Sequence, residues 1–140
     1  MKIVLAADGS KYTKKALAFL VTHEGLADAD DEVIVVHAQP ALPPRVRSAV
    51  GADVVRDYQT DEAEKVLGPI RKFLDKHDIP YRCEWAVAPA HELVLKTAKK
   101  AKAHLIVMGT HGHGALGRAI MGSVALKVVT EADVPVMLVK

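Results

Sequence analysis

The sequence predicts one α/β domain built on a doubly wound, five-stranded parallel sheet with helices on both faces. Apolar and amphipathic runs alternate along the whole chain in the order β-α-β-α-β-α-β-α-β, and this alternation requires crossover helices and parallel strands. Half of the residues are hydrophobic but only 4% are aromatic, which suits aliphatic strands buried between helices. With 140 residues, no repeat and no linker, we expect residues 1–140 to form a single domain.

The first strand and helix are predicted from a change in hydrophobic period. The run KIVLAA at 2–7 is continuous and β-branched, which is typical of a fully buried strand. From Ser10 onward apolar residues recur every three or four positions, so a helix follows, and Gly25 is its expected stop. The run EVIVVHA at 32–38 predicts a second buried strand.

The middle of the chain contains a proline-rich segment and a long helix. Residues 39–52 contain three prolines and a glycine, which predicts an irregular surface segment. Residues 53–77 show a helical period, with one apolar face made by Val66, Leu67, Ile70 and Leu74. Pro69 falls inside this pattern, and we expect it to bend or locally break the helix.

The last part of the chain supplies three more strands. The run at 80–88 alternates enough to lie near a sheet edge, and the helix at 89–103 begins with Pro89, which suits a first helical turn. A buried strand at 104–109 precedes a glycine-rich segment. A helix from about 122 to 131 and a fifth strand at 134–140 complete the pattern.

Composition excludes several classes of function. A net charge of +2 is too small and too scattered to indicate nucleic-acid binding. No apolar stretch is long enough to span a membrane. The single cysteine, Cys83, excludes an intrachain disulfide and indicates a reducing, cytoplasmic location. We expect Cys83 to be a small buried residue rather than a reactive thiol.

The glycine-rich segment at 108–124 carries two overlapping patterns. Gly112 to Gly117 spells G-x-G-x-x-G, but a dinucleotide fingerprint belongs in the first βα turn and is followed by an acid at the end of the next strand. Here the glycines follow the fourth strand, and the last strand ends in Lys140. A phosphate-binding Walker loop would need a lysine before its Ser or Thr, and Gly122-Ser123 has none.

The longer spacing, Gly109-x2-Gly112-x9-Gly122-Ser123, fits a mononucleotide better. In a doubly wound sheet, ligands bind beyond the carboxyl ends of the strands. Gly109 would allow close approach, and Gly112 would supply a left-handed turn with an inward N–H. Ser123 would cap the next helix and donate its hydroxyl, while that helix N-terminus attracts an anion. The spacing therefore predicts a phosphate cradle that needs no basic side chain.

Four further side chains allow two interpretations each. Asp8 directly follows the first strand, where it could hold a ribose hydroxyl or a phosphate-bound metal, or could instead open the first helix as an Asx-turn. His111 and His113 could ligate a metal, but no carboxylate or cysteine is near them in sequence, so polar loop residues, one of them touching a phosphate, are favoured. Arg118 is either an exposed loop cation or a charge near the phosphates.

These segments together resemble the universal stress protein superfamily. The resemblance rests on IVLAADGS at 3–10, VIVVHA at 33–38, LIVMGTHGHGALGRAIMGSVALKVV at 105–129 and VPVMLVK at 134–140. Its most specific part is G-x2-G-x9-G-[ST], the pattern of the members that bind ATP. The resemblance implies strand order 3-2-1-4-5, an adenine nucleotide alpha hydrolase-like fold, and a homodimer paired through the last strand from Val134 to Val139.

The resemblance also implies a ligand and its contacts. Asp8 would meet the ribose, the backbone at Ala38 would meet adenine, and the glycines with Ser123 and the N–H of Val124 would hold ribose and phosphates. The ligand would be ATP, ADP or AMP, accompanied by Mg²⁺ or Mn²⁺ bound through the phosphates, with Asp8 as a further candidate ligand of the metal. The residues expected to bind nucleotide are Ala7, Asp8, Ala38, Met108, Gly109, Gly112, His113, Gly114, Gly122, Ser123 and Val124.

Three functions follow from this reading. The first is a dimeric, nucleotide-dependent module that reports stress or nucleotide status to protein partners. The second is a slow ATPase or nucleotide-dependent transferase, which the sequence disfavours because it offers no clear general base: Asp8, His111 and His113 are the only nearby candidates. The third is a dimeric interaction protein that binds no nucleotide.

Overall fold

The computed structural model describes residues 1–23, 25–112 and 121–140. Its five strands form one parallel sheet in the order β3-β2-β1-β4-β5, which confirms the expected doubly wound α/β fold. The elements in chain order are β1 (Lys2–Ala6), α1 (Lys11–Thr22), β2 (Glu32–Gln39), α2 (Pro44–Val50), α3 (Ala52–Lys76), β3 (Tyr81–Val87), α4 (Ala90–Ala101), β4 (Leu105–Gly109), α5 (Ser123–Glu131) and β5 (Val136–Val139).

Two apolar layers hold the helices against the sheet. Because side chains alternate along a strand, Val33 and Val35 of β2 face the layer of α1 and α3, whereas Ile34 and Val36 face the layer of α4 and α5. Both layers are aliphatic, and the three central strands are almost completely buried on both sides. The crossover helices therefore lie on both faces, as the alternating pattern predicted.

Two details of the middle segment differ from the sequence prediction. Residues 39–52 are not wholly irregular, because Pro44–Val50 forms the short helix α2, which begins at a proline as helices often do. Pro69 does not break α3, which is continuous from Ala52 to Lys76. The apolar face of α3 explains its continuity: Leu67, Ile70 and Leu74 are buried against the sheet, and this packing outweighs the backbone hydrogen bond that the proline removes.

The topology leaves two edge strands and one reversal point. β3 and β5 are the edges, and the chain moves outward from β1 to β3 before it returns to the other side of β1 with β4. The carboxyl ends of β1 and β4 therefore lie side by side where the strand order reverses, which is where ligands bind in open α/β sheets. Within the described residues, no helix is both long enough and apolar enough to cross a bilayer.

Candidate functional site

A pocket of about 450 Å³ lies at the carboxyl ends of β1, β2 and β4. Every described residue that the sequence predicted for a nucleotide site lines it. These are Ala7, Asp8, Ala38, Met108, Gly109, Gly112, Gly122, Ser123 and Val124. His113 and Gly114, together with Arg118, lie outside the described residues. The pocket thus joins segments that are up to 119 positions apart in the chain, from Ala6 to Ala125, because the parallel sheet brings its strand ends together.

Asp8 opens the first helix through an Asx-turn, which is one of the two interpretations that the sequence allowed, and it also lines the pocket. Its Oδ1 atom accepts a hydrogen bond from the backbone N–H of Ser10 at 2.9 Å, which closes an Asx-turn, and another from Oγ1 of Thr13 at 2.8 Å. The backbone N–H of Asp8 in turn donates to Thr13 Oγ1 at 3.0 Å. Two hydrogen bonds from α1 therefore fix the carboxylate in one orientation at the pocket wall.

At three glycines of the pocket, neighbouring atoms lie closer than an ordinary contact to the position that a side chain would take. A Cβ atom at Gly109 would lie 2.4 Å from Cβ of Tyr12, and one at Gly112 would lie 2.5 Å from Oδ2 of Asp8. At Gly122 it would lie 3.2 Å from the carbonyl oxygen of Thr110. The expected left-handed turn at Gly112 is wrong, since its φ is outside the positive range. Close approach, rather than backbone conformation, explains this glycine.

The N-terminus of α5 opens into the same pocket. Gly122 is the N-cap residue, and the first intrahelical bond runs from the N–H of Leu126 to the carbonyl of Gly122 at 3.0 Å. The N–H groups of Ser123, Val124 and Ala125 precede that bond, and all three residues line the pocket. Ser123 is the first helical residue and not the cap, which corrects the sequence prediction. Its side chain is exposed, so the hydroxyl is available to a ligand.

The wall opposite Asp8 is apolar. Val36 and Ala38 of β2 and Val94 of α4 line it, with Met108 of β4. Sequence reasoning missed Val94, because it looked for ligand contacts only at strand ends and Val94 lies on a crossover helix. The only signal available was its place on the inward face of α4. The pocket thus has one polar side with hydrogen-bonding groups and one apolar side, a common arrangement in small-molecule sites.

A buried histidine supports the pocket from behind. His37 of β2 faces the α1 and α3 layer and is 5% exposed. Its Nδ1 lies 2.9 Å from the carbonyl oxygen of Ala7, a residue that lines the pocket, and its Nε2 lies 2.8 Å from Oε1 of Gln39. A polar side chain in an apolar strand needs such partners when buried. His37 therefore fixes the backbone of β1 where it enters the site.

Aromatic and basic side chains surround the rim near Gly109. The rings of Tyr12 and His111 are 5.1 Å apart, and His111 Nδ1 lies 2.9 Å from Thr110 Oγ1. The ammonium groups of Lys11 and Lys15 lie 5.2 and 5.6 Å from the centre of the Tyr12 ring. Sequence reasoning did not single out these lysines. Among the residues that the structure describes, no group of three or more His, Cys, Asp or Glu side chains could hold a metal ion.

Comparison with known proteins gives consistent matches over the full length of this chain. The profile of the universal stress protein family matches residues 1–140. A universal stress protein of Thermus aquaticus is 34% identical over 99% of this chain and 97% of its own length, and one of Methanocaldococcus jannaschii is 32% identical over 99% of this chain and 81% of its own length. The structure of the universal stress protein from Archaeoglobus fulgidus in complex with dAMP superposes with a TM-score of 0.72 at 25% identity, and covers 100% of this chain and 98% of that one.

Proposed function

Since this chain belongs to the universal stress protein family, we propose that it is an adenine-nucleotide-binding regulatory module that acts as a homodimer. One observation carries the proposal: the free N–H groups at the start of α5 and the three side-chain-free positions Gly109, Gly112 and Gly122 line a single pocket. Backbone donors at a helix N-terminus attract phosphate. A relative of the same fold binds dAMP, a mononucleotide of this class.

Each part of the pocket corresponds to one part of a nucleotide. The carboxylate of Asp8 accepts hydrogen bonds from ribose hydroxyls, and its orientation is already fixed by Ser10 and Thr13. The base lies against the apolar wall of Val36 and Val94, near the backbone of Ala38. The phosphates lie at the N-terminus of α5, where the helix dipole and the hydroxyl of Ser123 stabilise negative charge.

The pocket fits ATP, ADP or AMP, and a divalent cation would enter with the phosphates. Mg²⁺ and Mn²⁺ are bound through phosphate oxygens and few protein groups, so the absence of a dedicated ligand cluster among the described residues is compatible with either ion. Such a cation would neutralise phosphate charge. The ammonium groups of Lys11 and Lys15 lie near the Tyr12 ring, and Tyr12 adjoins Gly109, so the two lysines would add positive charge on this side of the site.

The dimer would form through the β5 edge. All four residues of Val136–Val139 are half-buried in the single chain, and the outer side of an edge strand presents unpaired backbone groups. Pairing two copies of β5 would satisfy these groups and cover the apolar side chains. We expect the nucleotide state of such a dimer to be read by other proteins in a stress response in the cytoplasm.

The first test is to identify any nucleotide released when the purified protein is denatured in acid, followed by calorimetric titration of the emptied protein with ATP and Mg²⁺. We expect binding at one site per chain. Asp8→Asn should weaken it by about tenfold, since one charge-assisted hydrogen-bond acceptor is lost. Asp57→Asn is the matched control, because Asp57 is exposed on α3 and does not line the pocket.

Gly122→Val tests the phosphate end separately. The contacts of 3.2 and 3.3 Å at Gly122 show that a side chain would also press on Thr110 and His111, so folding has to be checked by circular dichroism. A folded Gly122→Val that binds ATP as wild type does, or a wild-type protein that neither releases nor binds nucleotide, would refute the proposed site.

A further inference from the structure

A second concave surface lies between α2, the start of α3 and the edge strand β3. This groove has a volume of about 600 Å³ and shares no residue with the pocket at the strand ends. Its floor is apolar and includes Pro44, Val55, Trp85 and Val87. Trp85 is the single tryptophan of the chain. The volume lies in the range of pockets that hold small organic ligands.

The groove is incompletely covered by the chain itself. Every residue of α2 is exposed, although a helix of seven residues gains its stability in water mainly from packing. Val87 is 45% exposed at the end of β3, and Trp85 is only half-buried. A ligand seated between α2 and Trp85 would bury both the inner side of α2 and the exposed floor.

The charge of the groove selects an anion. Arg47 from α2 and Arg56 from α3 line it, and no carboxylate does. Within the described part of the chain, Arg47 forms no ion pair. Arg56 donates to Asp53 at 3.2 Å, but both side chains are largely exposed, and such pairs contribute little free energy. Both guanidinium groups can therefore turn to a ligand at small cost, and each can bind a carboxylate or sulfonate through two N–H groups.

Gln59 joins the groove to the segment that follows β2. It lines the groove and is 4% exposed. Its Nε2 donates to the carbonyl of Pro40 at 3.0 Å, and its Oε1 is buried. Because a buried oxygen cannot be reached by a ligand in the groove, Gln59 stabilises the wall of the groove and does not select the ligand.

We propose that the α2–α3–β3 groove binds a small apolar organic anion. The apolar body packs on Trp85 and Val55, and the anionic group meets Arg47 and Arg56. Aromatic carboxylates and sulfonates have this combination. The site is separate from the nucleotide pocket and does not depend on the function proposed above.

The experiment uses anilinonaphthalene sulfonate, which has an aromatic body and an anionic group. Excitation of Trp85, the single tryptophan, should produce saturable emission from one bound probe per chain. Arg47→Glu should weaken binding by about tenfold or more, since a charged hydrogen bond becomes a repulsion. Arg45→Glu is the matched control, because it makes the same change on α2 at a residue outside the groove. Equal effects of the two variants, or no saturable binding, would overturn the proposal.

Discussion

Gly112→Ala separates close approach from backbone conformation as the reason for a glycine in the phosphate loop. The added Cβ would lie 2.5 Å from Oδ2 of Asp8, whereas ordinary contacts begin at 3.4 Å. The carboxylate therefore has to retreat by roughly 0.9 Å. Rotation moves Oδ1 away from Ser10 and Thr13, which now hold it at 2.9 and 2.8 Å. The orientation needed for the ribose is then lost.

The expected effect is on affinity more than on stability. Loss of a hydrogen bond to a charged group costs about 1.5–3 kcal/mol, so the dissociation constant for ATP should rise about 10- to 100-fold. Because the obstructing atom is the end of a side chain, which can rotate, the free energy of unfolding should fall by less than about 1.5 kcal/mol. Calorimetry with ATP and urea denaturation of the empty protein measure the two quantities. An affinity within about twofold of wild type would refute this reasoning.

Three further predictions follow from particular contacts. Gly109→Ala should lower the free energy of unfolding, measured by urea denaturation, by about 1–3 kcal/mol. The added Cβ would lie 2.4 Å from Cβ of Tyr12 and 3.2 Å from the backbone of α1. A loss of unfolding free energy no larger than that of Gly112→Ala would contradict this prediction. Burial raises the pKa of the Cys83 thiol, so at pH 8 the native chain should react with iodoacetamide at least about tenfold more slowly than the chain in urea. The rate of the native chain should still rise with pH at values where the thiol of the unfolded chain is fully ionised. Equal rates for the two chains would show that the native thiol is accessible and ionised. Met137→Lys, on the edge strand β5, should give monomers in sedimentation velocity where the wild type gives the proposed dimer, since lysine on an edge opposes strand pairing. Because Met137 also packs on the apolar layer of α1 and α3, circular dichroism has to show that the variant is folded, and a folded variant that is still dimeric would place the interface elsewhere.

The sequence alone was sufficient for the fold class and for the approximate positions of the strands. Continuous β-branched runs such as KIVLAA and EVIVVHA predict buried parallel strands directly, and the structure contains them at Lys2–Ala6 and Glu32–Gln39. The strand order came from the resemblance, since no local pattern records which strands are neighbours. The glycine spacing indicated the pocket because its four fixed residues lie at the end of β4, after it, or at the start of α5. Changes in the hydrophobic period of the sequence predict the positions of both elements.

The boundaries and the buried polar groups were less predictable. Residues 39–52 appeared irregular because three prolines disfavour regular structure. Proline is nevertheless tolerated at the first position of a helix, and α2 begins at Pro44. The role of His37 was not visible, since a single polar residue in an apolar strand gives no indication of its partners. Its hydrogen bonds join residues 30 positions apart.

What the sequence determined by itself is the set of elements and the residue types at their ends, because periodicity and glycine spacing are local properties of the chain. Only the tertiary structure decided which residues that are distant in the sequence contact one another. The reason for Gly112 is a carboxylate from Asp8, 104 positions earlier, and the groove at Trp85 exists only because α2 and α3 fold over the β3 edge. Such contacts depend on how crossover helices pack across the sheet, and no local pattern encodes that packing.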